Sequence, residues 1–454
     1  MTTNKRIIAV LVFISLLFLS LLGYLTYFVL FKSAAVAANP YNKRNQIAAS
    51  NIVRGSIFDR NGVVLAKSDN GNRIYPFAGL YSGVIGYNSP LYGNSGLEKT
   101  YDSTLLAKSN ILLLQPTEGN SVYLSLDNNL QTIAQNALNN RNGAAVVINP
   151  QTGEILALAS YPNFDPNESA LDANWNSLST DSNTPLLPRA TQGLYEPGST
   201  FKIITSSALL ANGENNLTFN DTGFTTIGGK VFTNYASEKN GQVDLTKAFE
   251  VSSNVAFCTW GSQLGITKLY SMVQQFGFTS PISIDIPVSN SQFPQVSMTD
   301  ADVAAASMGQ WNDLATPLEM ARIAGIIANG GKDIPLHLVS KTVNKDGVVL
   351  TQANTALGKQ ILDPNIAATL QTMMEGVVQS GTASSLANFS PQVAGKTGTA
   401  ENNIPNKEHT WFVGFAPANN PTIAIAVVLE NSGGTGSSMA VPIAKQILQS
   451  YFGN

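Results

Sequence analysis

The chain has 454 residues, with 26 Lys and Arg against 29 Asp and Glu, and its net charge of −3 is spread without long runs. That balance argues against a nucleic-acid partner, and 44% hydrophobic content with 37 Gly and 21 Pro excludes a disordered or collagen-like chain. One cysteine, Cys258, and two histidines, His337 and His409, leave no disulfide within the chain and argue against a metal centre, and no cofactor is implied.

Only 12% of the residues are charged, about half the usual share, so a membrane segment is the first feature to look for. Residues 7–31 form one apolar stretch without a charge. As a helix it would extend about 38 Å, enough to cross a hydrocarbon core of about 30 Å with some tilt. Lys5 and Arg6 precede it, which leaves residues 1–6 in the cytoplasm, and Tyr24, Tyr27, Phe28 and Phe31 fall at the outer interface. The small-residue run at 34–38 favours a cleaved signal peptide instead, but the apolar region is longer than such a peptide uses. The rest of the chain is expected outside the cytoplasm, where a lone cysteine serves as a small buried hydrophobe.

Residues 32–118 are rich in Gly, Asn, Ser and Tyr and predict a small loop-rich module, with residues 116–120 as a linker. Residues 119–454 read as a second domain. Residues 124–138 have helical apolar spacing, with Asp127 near the start. Strands are predicted at 144–148 and 154–160, joined by the turn Asn149-Pro150-Gln151-Thr152-Gly153. Helical stretches follow at 201–210 and 316–328, then strands at 396–401, 410–416 and 422–430, and a closing helix at 440–452. Strands at both ends with helices between predict an α+β fold, one antiparallel sheet with helices on its faces.

Three short motifs carry potential chemistry. Ser199-Thr200-Phe201-Lys202 follows Tyr195-Glu196-Pro197-Gly198, a helix-start signal. Ser199 and Lys202 then lie one turn apart on one face. A serine needs a base to become a nucleophile, and a desolvated lysine beside another positive charge is such a base. A buried helix with a snorkelling lysine has the same spacing. Ser252-Ser253-Asn254 lies between two helical stretches and could aim a hydroxyl and an amide into one cleft, or be a polar helix cap. Ser68-Asp69-Asn70 has the same pattern within the loop-rich module. Lys396-Thr397-Gly398-Thr399 lies on a strand, where Gly398 admits close approach of a substrate. There Lys396, Thr397 and Thr399 could hold a carboxylate and the Thr399 N–H could serve an oxyanion; an edge lysine that discourages aggregation is the lesser alternative.

The order and spacing of these three, SxxK, then SxN some 50 residues on, then KTG, form the motif set of penicillin-interacting serine enzymes. Beyond them, Arg54-Gly55-Ser56-Ile57-Phe58-Asp59-Arg60-Asn61-Gly62 resembles the opening of the pedestal of class B penicillin-binding proteins, and Gly96-Leu97-Glu98 with Tyr101-Asp102 resembles its close. Gly143-Ala144-Ala145-Val146-Val147, Gly309-Gln310 with Thr316-Pro317-Leu318, and Trp411-Phe412-Val413-Gly414-Phe415 are similar to the transpeptidase domain of that family. The short pedestal is most like that of actinobacterial elongation-type members.

The resemblance implies a single transmembrane helix, a non-catalytic pedestal and a transpeptidase domain with a five-stranded antiparallel sheet, in a bacterial cell membrane. It implies a D,D-transpeptidase that cross-links peptidoglycan stem peptides and is acylated by β-lactams. Ser199 would be the nucleophile, Lys202 the base, Ser252 and Lys396 proton relays, and Asn254 an anchor for the stem amide. Thr397, Gly398 and Thr399 would line the substrate site, and the pedestal would contact a SEDS-type glycan polymerase. A serine β-lactamase, a β-lactam sensor and a catalytically idle wall scaffold are the competing readings. The deacylating glutamate of a class A β-lactamase would lie after the SxN motif, but the only similar string, Glu214-Asn215-Asn216-Leu217-Thr218, precedes it. A His-dependent serine hydrolase is opposed by the absence of GxSxG around Ser199.

Overall fold

The computed structural model describes residues 2–33, 52–107, 118–294, 298–354, 358–401 and 407–453. The small-residue run at 34–38 and residues 116 and 117 of the linker lie outside this set. The first helix, Thr2–Tyr27, runs on into a wider-wound turn, Phe28–Lys32. Together Asn4–Lys32 is long and apolar enough to cross a membrane. Ser15 and Thr26 donate to the carbonyls of Leu11 (2.9 Å) and Leu22 (2.8 Å), so both hydroxyls are satisfied within the helix. The predicted aromatic group forms two contacts, Tyr24 with Phe28 and Tyr27 with Phe31.

At the centre of the larger domain stands a five-stranded antiparallel sheet. Its strands lie in the order Ala394–Ala400, His409–Ala416, Ile423–Leu429, Gly143–Ile148, Ile155–Tyr161. The three central strands are buried along almost their whole length, which is why they read as continuous apolar runs rather than alternations. Helices Asn128–Leu138 and Gly436–Phe452 pack on each other and on the sheet, while Lys202–Ala211, Pro317–Ala328 and Pro364–Gln379 form a second packed group.

Helix starts differ from the sequence expectation where side chains intervene. Residues 124–127 are not helical: Leu124 ends a strand, the chain bends at Ser125, and Asp127 caps the helix by accepting from the N–H groups of Asn129 (2.9 Å) and Leu130 (3.1 Å). The closing helix starts earlier than expected, at Gly436, because Thr435 and Ser438 form a capping box.

A second sheet has six strands, ordered Val349–Gln352, Val339–Val343, Ser121–Leu124, Ile57–Phe58, Val64–Asp69, Asn72–Ile74. Strands from both sides of residue 118 therefore share it. The segment entering it from the C-terminal half is zipped to the larger domain as well. His337 N–H donates to the Gly153 carbonyl (2.9 Å) and Ile155 N–H to that of His337 (3.1 Å). Asp285 accepts from Leu338 N–H (3.0 Å), Val339 N–H (2.8 Å) and the Tyr101 hydroxyl (2.6 Å).

The two pedestal signatures meet in a buried ion cluster. Glu98, fully buried, accepts from Arg54 Nε and Arg73 Nε, each at 2.6 Å, and Arg54 reaches Asp102 at 2.7 Å. Gly55 is required beside it, since a Cβ there would lie 1.9 Å from the Asn120 carbonyl oxygen. Removing one partner of such a cluster leaves buried charge uncompensated. Glu98→Ala is accordingly expected to destabilise the full-length protein by about 3–5 kcal/mol, measured by urea unfolding in detergent; unchanged stability would contradict that account.

Candidate active site

The chain Tyr195-Glu196-Pro197-Gly198 delivers Ser199 onto a short 3₁₀ turn, Gly198–Phe201, and the α-helix proper begins at Lys202. Ser199 is therefore one tight turn ahead of the α-helix rather than in its first turn, and it stays partly exposed. Gly198 sits at φ +52, and a Cβ on Gly309 would lie 2.1 Å from the Gly198 carbonyl oxygen. The Gly309-Gln310 element thus backs the turn that presents the serine. A polar network secures the approach to that turn. Tyr195 donates to Glu430 (2.5 Å), Arg189 pairs with Glu430 (2.9 Å), Trp411 Nε1 donates to the Glu196 carbonyl (2.9 Å), and His409 faces the Glu196 carboxylate at 3.6 Å.

Lys202 does not snorkel; it is fully buried. Its Nζ donates to the Ser252 carbonyl (2.8 Å), the Asn254 Oδ1 (2.8 Å) and the Ser252 Oγ (3.3 Å), and lies over the Phe257 ring. Lys396, equally buried on the strand Ala394–Ala400, donates to the Ser252 Oγ at 2.9 Å and to the Thr397 carbonyl at 3.2 Å. That strand is the edge of the sheet, but its lysine points inward rather than guarding the edge. The three motifs, spread over some 200 residues, are brought to one hydroxyl.

The SxN segment serves as a helix cap and as part of the cleft. Ser253 caps Asn254–Leu264 by accepting from Ala256 N–H, and Asn254 is the first helical residue. Ser252 occupies the left-handed region at φ +60, uncommon for a residue with a Cβ.

The KTG strand runs against the serine turn. A Cβ on Gly398 would lie 2.9 Å from the Pro197 carbonyl oxygen and 3.0 Å from Thr200, and one on Gly198 would lie 2.8 Å from the Thr399 carbonyl oxygen. Glycine on both sides lets the two backbones approach. The Thr397 hydroxyl pairs with that of Thr382 (2.5 Å), while the Thr399 hydroxyl accepts from Gly436 N–H (3.2 Å) and so keeps its own proton to donate.

Burial dominates the electrostatics. It pulls the Lys202 ammonium down to about 7, against the opposing influence of Cys258 and Asp221. Burial, then the charge of Lys202, hold Lys396 well below the usual lysine range. Two lysines near one hydroxyl thus favour a state in which at least one is neutral and able to take a proton. Cys258 is buried, and burial pushes its thiol up to about 12, in keeping with a core role. Among the described residues no group of acidic, His or Cys side chains could hold a metal ion.

Sequence reasoning missed the frame beneath the SxN segment. Asp221, Asn234 and Asn240 converge there: Asp221 accepts from Asn234 (2.8 Å), Asn240 (2.7 Å) and Ser253 (2.7 Å). The only signal was a turn at Asp221-Thr222-Gly223, which says nothing of a partner 32 residues away.

Penicillin binding protein transpeptidase domains match this chain over residues 143–449, which hold all three motifs, and the penicillin binding protein A dimerisation domain matches over 54–120. The chain belongs to the class B penicillin-binding proteins. This penicillin-binding protein is 31% identical over 485 residues to the peptidoglycan D,D-transpeptidase PbpA of Mycolicibacterium smegmatis, across 98% of each chain. Its fold is similar to that of penicillin-binding protein A from M. tuberculosis, solved as a ceftriaxone acyl-enzyme complex (TM-score 0.82, 29% identity, 88% of this chain and 99% of that one). It is also similar to the D,D-transpeptidase domain of a peptidoglycan glycosyltransferase from Eggerthella lenta (TM-score 0.80, 34% identity, 88% and 99%).

Proposed function

We propose that this penicillin-binding protein is a peptidoglycan D,D-transpeptidase that works through an acyl-enzyme at Ser199. The observation that carries the proposal is the Ser252 hydroxyl lying between Lys202 Nζ and Lys396 Nζ, at 3.3 and 2.9 Å. Neutral Lys202 takes the Ser199 proton as Oγ attacks the penultimate D-Ala carbonyl of a stem peptide. The backbone N–H groups of Ser199 and Thr399 receive the developing oxyanion. As the tetrahedral intermediate collapses, the C–N bond breaks and terminal D-Ala leaves as an amine. Its proton arrives through Ser252, with Lys396 completing the relay. An amine from a second stem then attacks the ester, loses its proton along the same path, and frees Ser199.

Asn254 holds the stem amide, Gly398 lets the KTG strand lie against the serine turn, and Thr397 and Thr399 receive the terminal carboxylate. A β-lactam presents the same amide in a strained ring and acylates Ser199 in the same way. Glu214 lies exposed in the turn after the helix Lys202–Ala211, where it has no part in deacylation. In this reading residues 1–6 lie in the cytoplasm, as the positive-inside rule supports, and the pedestal outside contacts a SEDS-type polymerase.

Mass spectrometry of the full-length protein after exposure to a β-lactam is expected to place a single adduct on the peptide bearing Ser199. An adduct elsewhere, or none, would overturn the proposal.

A further inference from the structure

We infer that Asp221 is a positioning residue for this acyl transfer, holding the Ser252–Asn254 loop in its reactive shape through Ser253 and Asn234; the inference rests on the acyl-enzyme reading above. Asp221 ends the strand Thr218–Asp221 and is 1% exposed. Its carboxylate accepts from Ser253 Oγ (2.7 Å), Asn240 Nδ2 (2.7 Å) and Gly223 N–H (2.9 Å), and both oxygens accept from Asn234 Nδ2 at 2.8 Å. A carboxylate has about four acceptor sites, and these donors fill it.

Asn234, so held, turns its Oδ1 to accept from Asn254 N–H (2.8 Å) and Val255 N–H (3.2 Å). Ser253 Oγ, anchored on Asp221, accepts from Ala256 N–H (3.2 Å). The frame therefore grips the residue after Ser252 by its side chain and the two beyond by their backbone N–H groups. A non-glycine residue in the left-handed region persists where its surroundings over-determine it, and Ser252 is such a residue. In that conformation it offers Lys202 both its carbonyl and its hydroxyl.

Asp221 acts by charge as well. Burial raises its own affinity for a proton, but the hydrogen bonds from Asn240, Ser253, Asn234 and Gly223 outweigh burial and keep it low. The titratable groups whose charge bears on Lys202 are Cys258 on its helix and Asp221 on its strand, with Lys396 sharing the Ser252 hydroxyl from the sheet edge. Burial keeps the Cys258 thiol neutral, so Asp221 supplies the negative charge that favours protonated Lys202. Without it, Lys202 loses its proton at lower pH.

The test follows the second-order acylation rate by a fluorescent penicillin against pH, on full-length protein in detergent, normalised to titratable sites. In Asp221→Asn the plateau is expected to fall by about 10–100-fold, as misplacement of a reacting group does, and the midpoint of the acid limb to move to lower pH. Ser253→Ala keeps the charge, so its rate is expected to fall with the midpoint unmoved. A folded Asp221→Asn variant with wild-type plateau or unmoved midpoint overturns the inference. If that variant fails to fold, Ser253→Ala decides: a wild-type rate overturns it and a reduced rate supports it. Failure of the wild-type protein itself to be labelled would sink the acyl-enzyme reading instead.

Discussion

Ser199→Ala is expected to abolish covalent labelling by a fluorescent penicillin while leaving the thermal unfolding midpoint near that of the wild type. The two halves of the expectation have separate causes. Ser199 stands partly exposed on the 3₁₀ turn, so removing one hydroxyl oxygen opens no cavity in the core. Chemically, nothing replaces it: loss of the nucleophile of a serine enzyme costs about 10⁶ in rate, far below what labelling detects. The Ser252 hydroxyl accepts from both lysines, so its lone pairs are engaged and it is the poorer nucleophile of the two serines. Persistent labelling of the variant would move the nucleophile elsewhere.

Lys202→Ala is expected to lower the acylation rate by about 10²–10⁴-fold, the range contributed by a positioned general base. Its second signature is the pH profile. Lys202 is drawn down to about 7 by burial, and it acts as a base only when neutral. The wild-type rate should therefore climb as pH rises through about 7 and then level off, while the residual rate of the variant should lack that rise. The measurement is the second-order acylation rate against pH. Lys202→Met, which keeps the buried stem, should show the same loss and so separates the missing amine from the missing volume. A Lys202→Ala rate near wild type would remove the lysine from the role of base.

What the sequence disclosed follows from where information is local. The apolar runs at 144–148 and 422–430 announce a sheet covered on both faces, and the turn Asn149 to Gly153 sets one of its pairings. The three motifs announce the site because each packs its residue types within four positions. Long-range partners leave no such trace. Val339–Val343 and Val349–Gln352 are short and half polar, and the second is exposed along its length, so nothing marks them as members of the pedestal sheet. Arg54 and Glu98 each sit in a recognisable string, yet their pairing is a product of the fold. Asp221 is one acidic residue in a turn until Ser253 and Asn234 are seen around it.

Ser121–Leu124 pairs with Ile57–Phe58 on one side and Val339–Val343 on the other, and just before the latter His337 is stitched to the Gly153 turn. The pedestal is thus not a cassette strung ahead of an enzyme; the two are woven, with one thread of the catalytic half sewn into the other. Half of the strands of the pedestal sheet are therefore chain of the transpeptidase half, and a substitution in them alters both units at once.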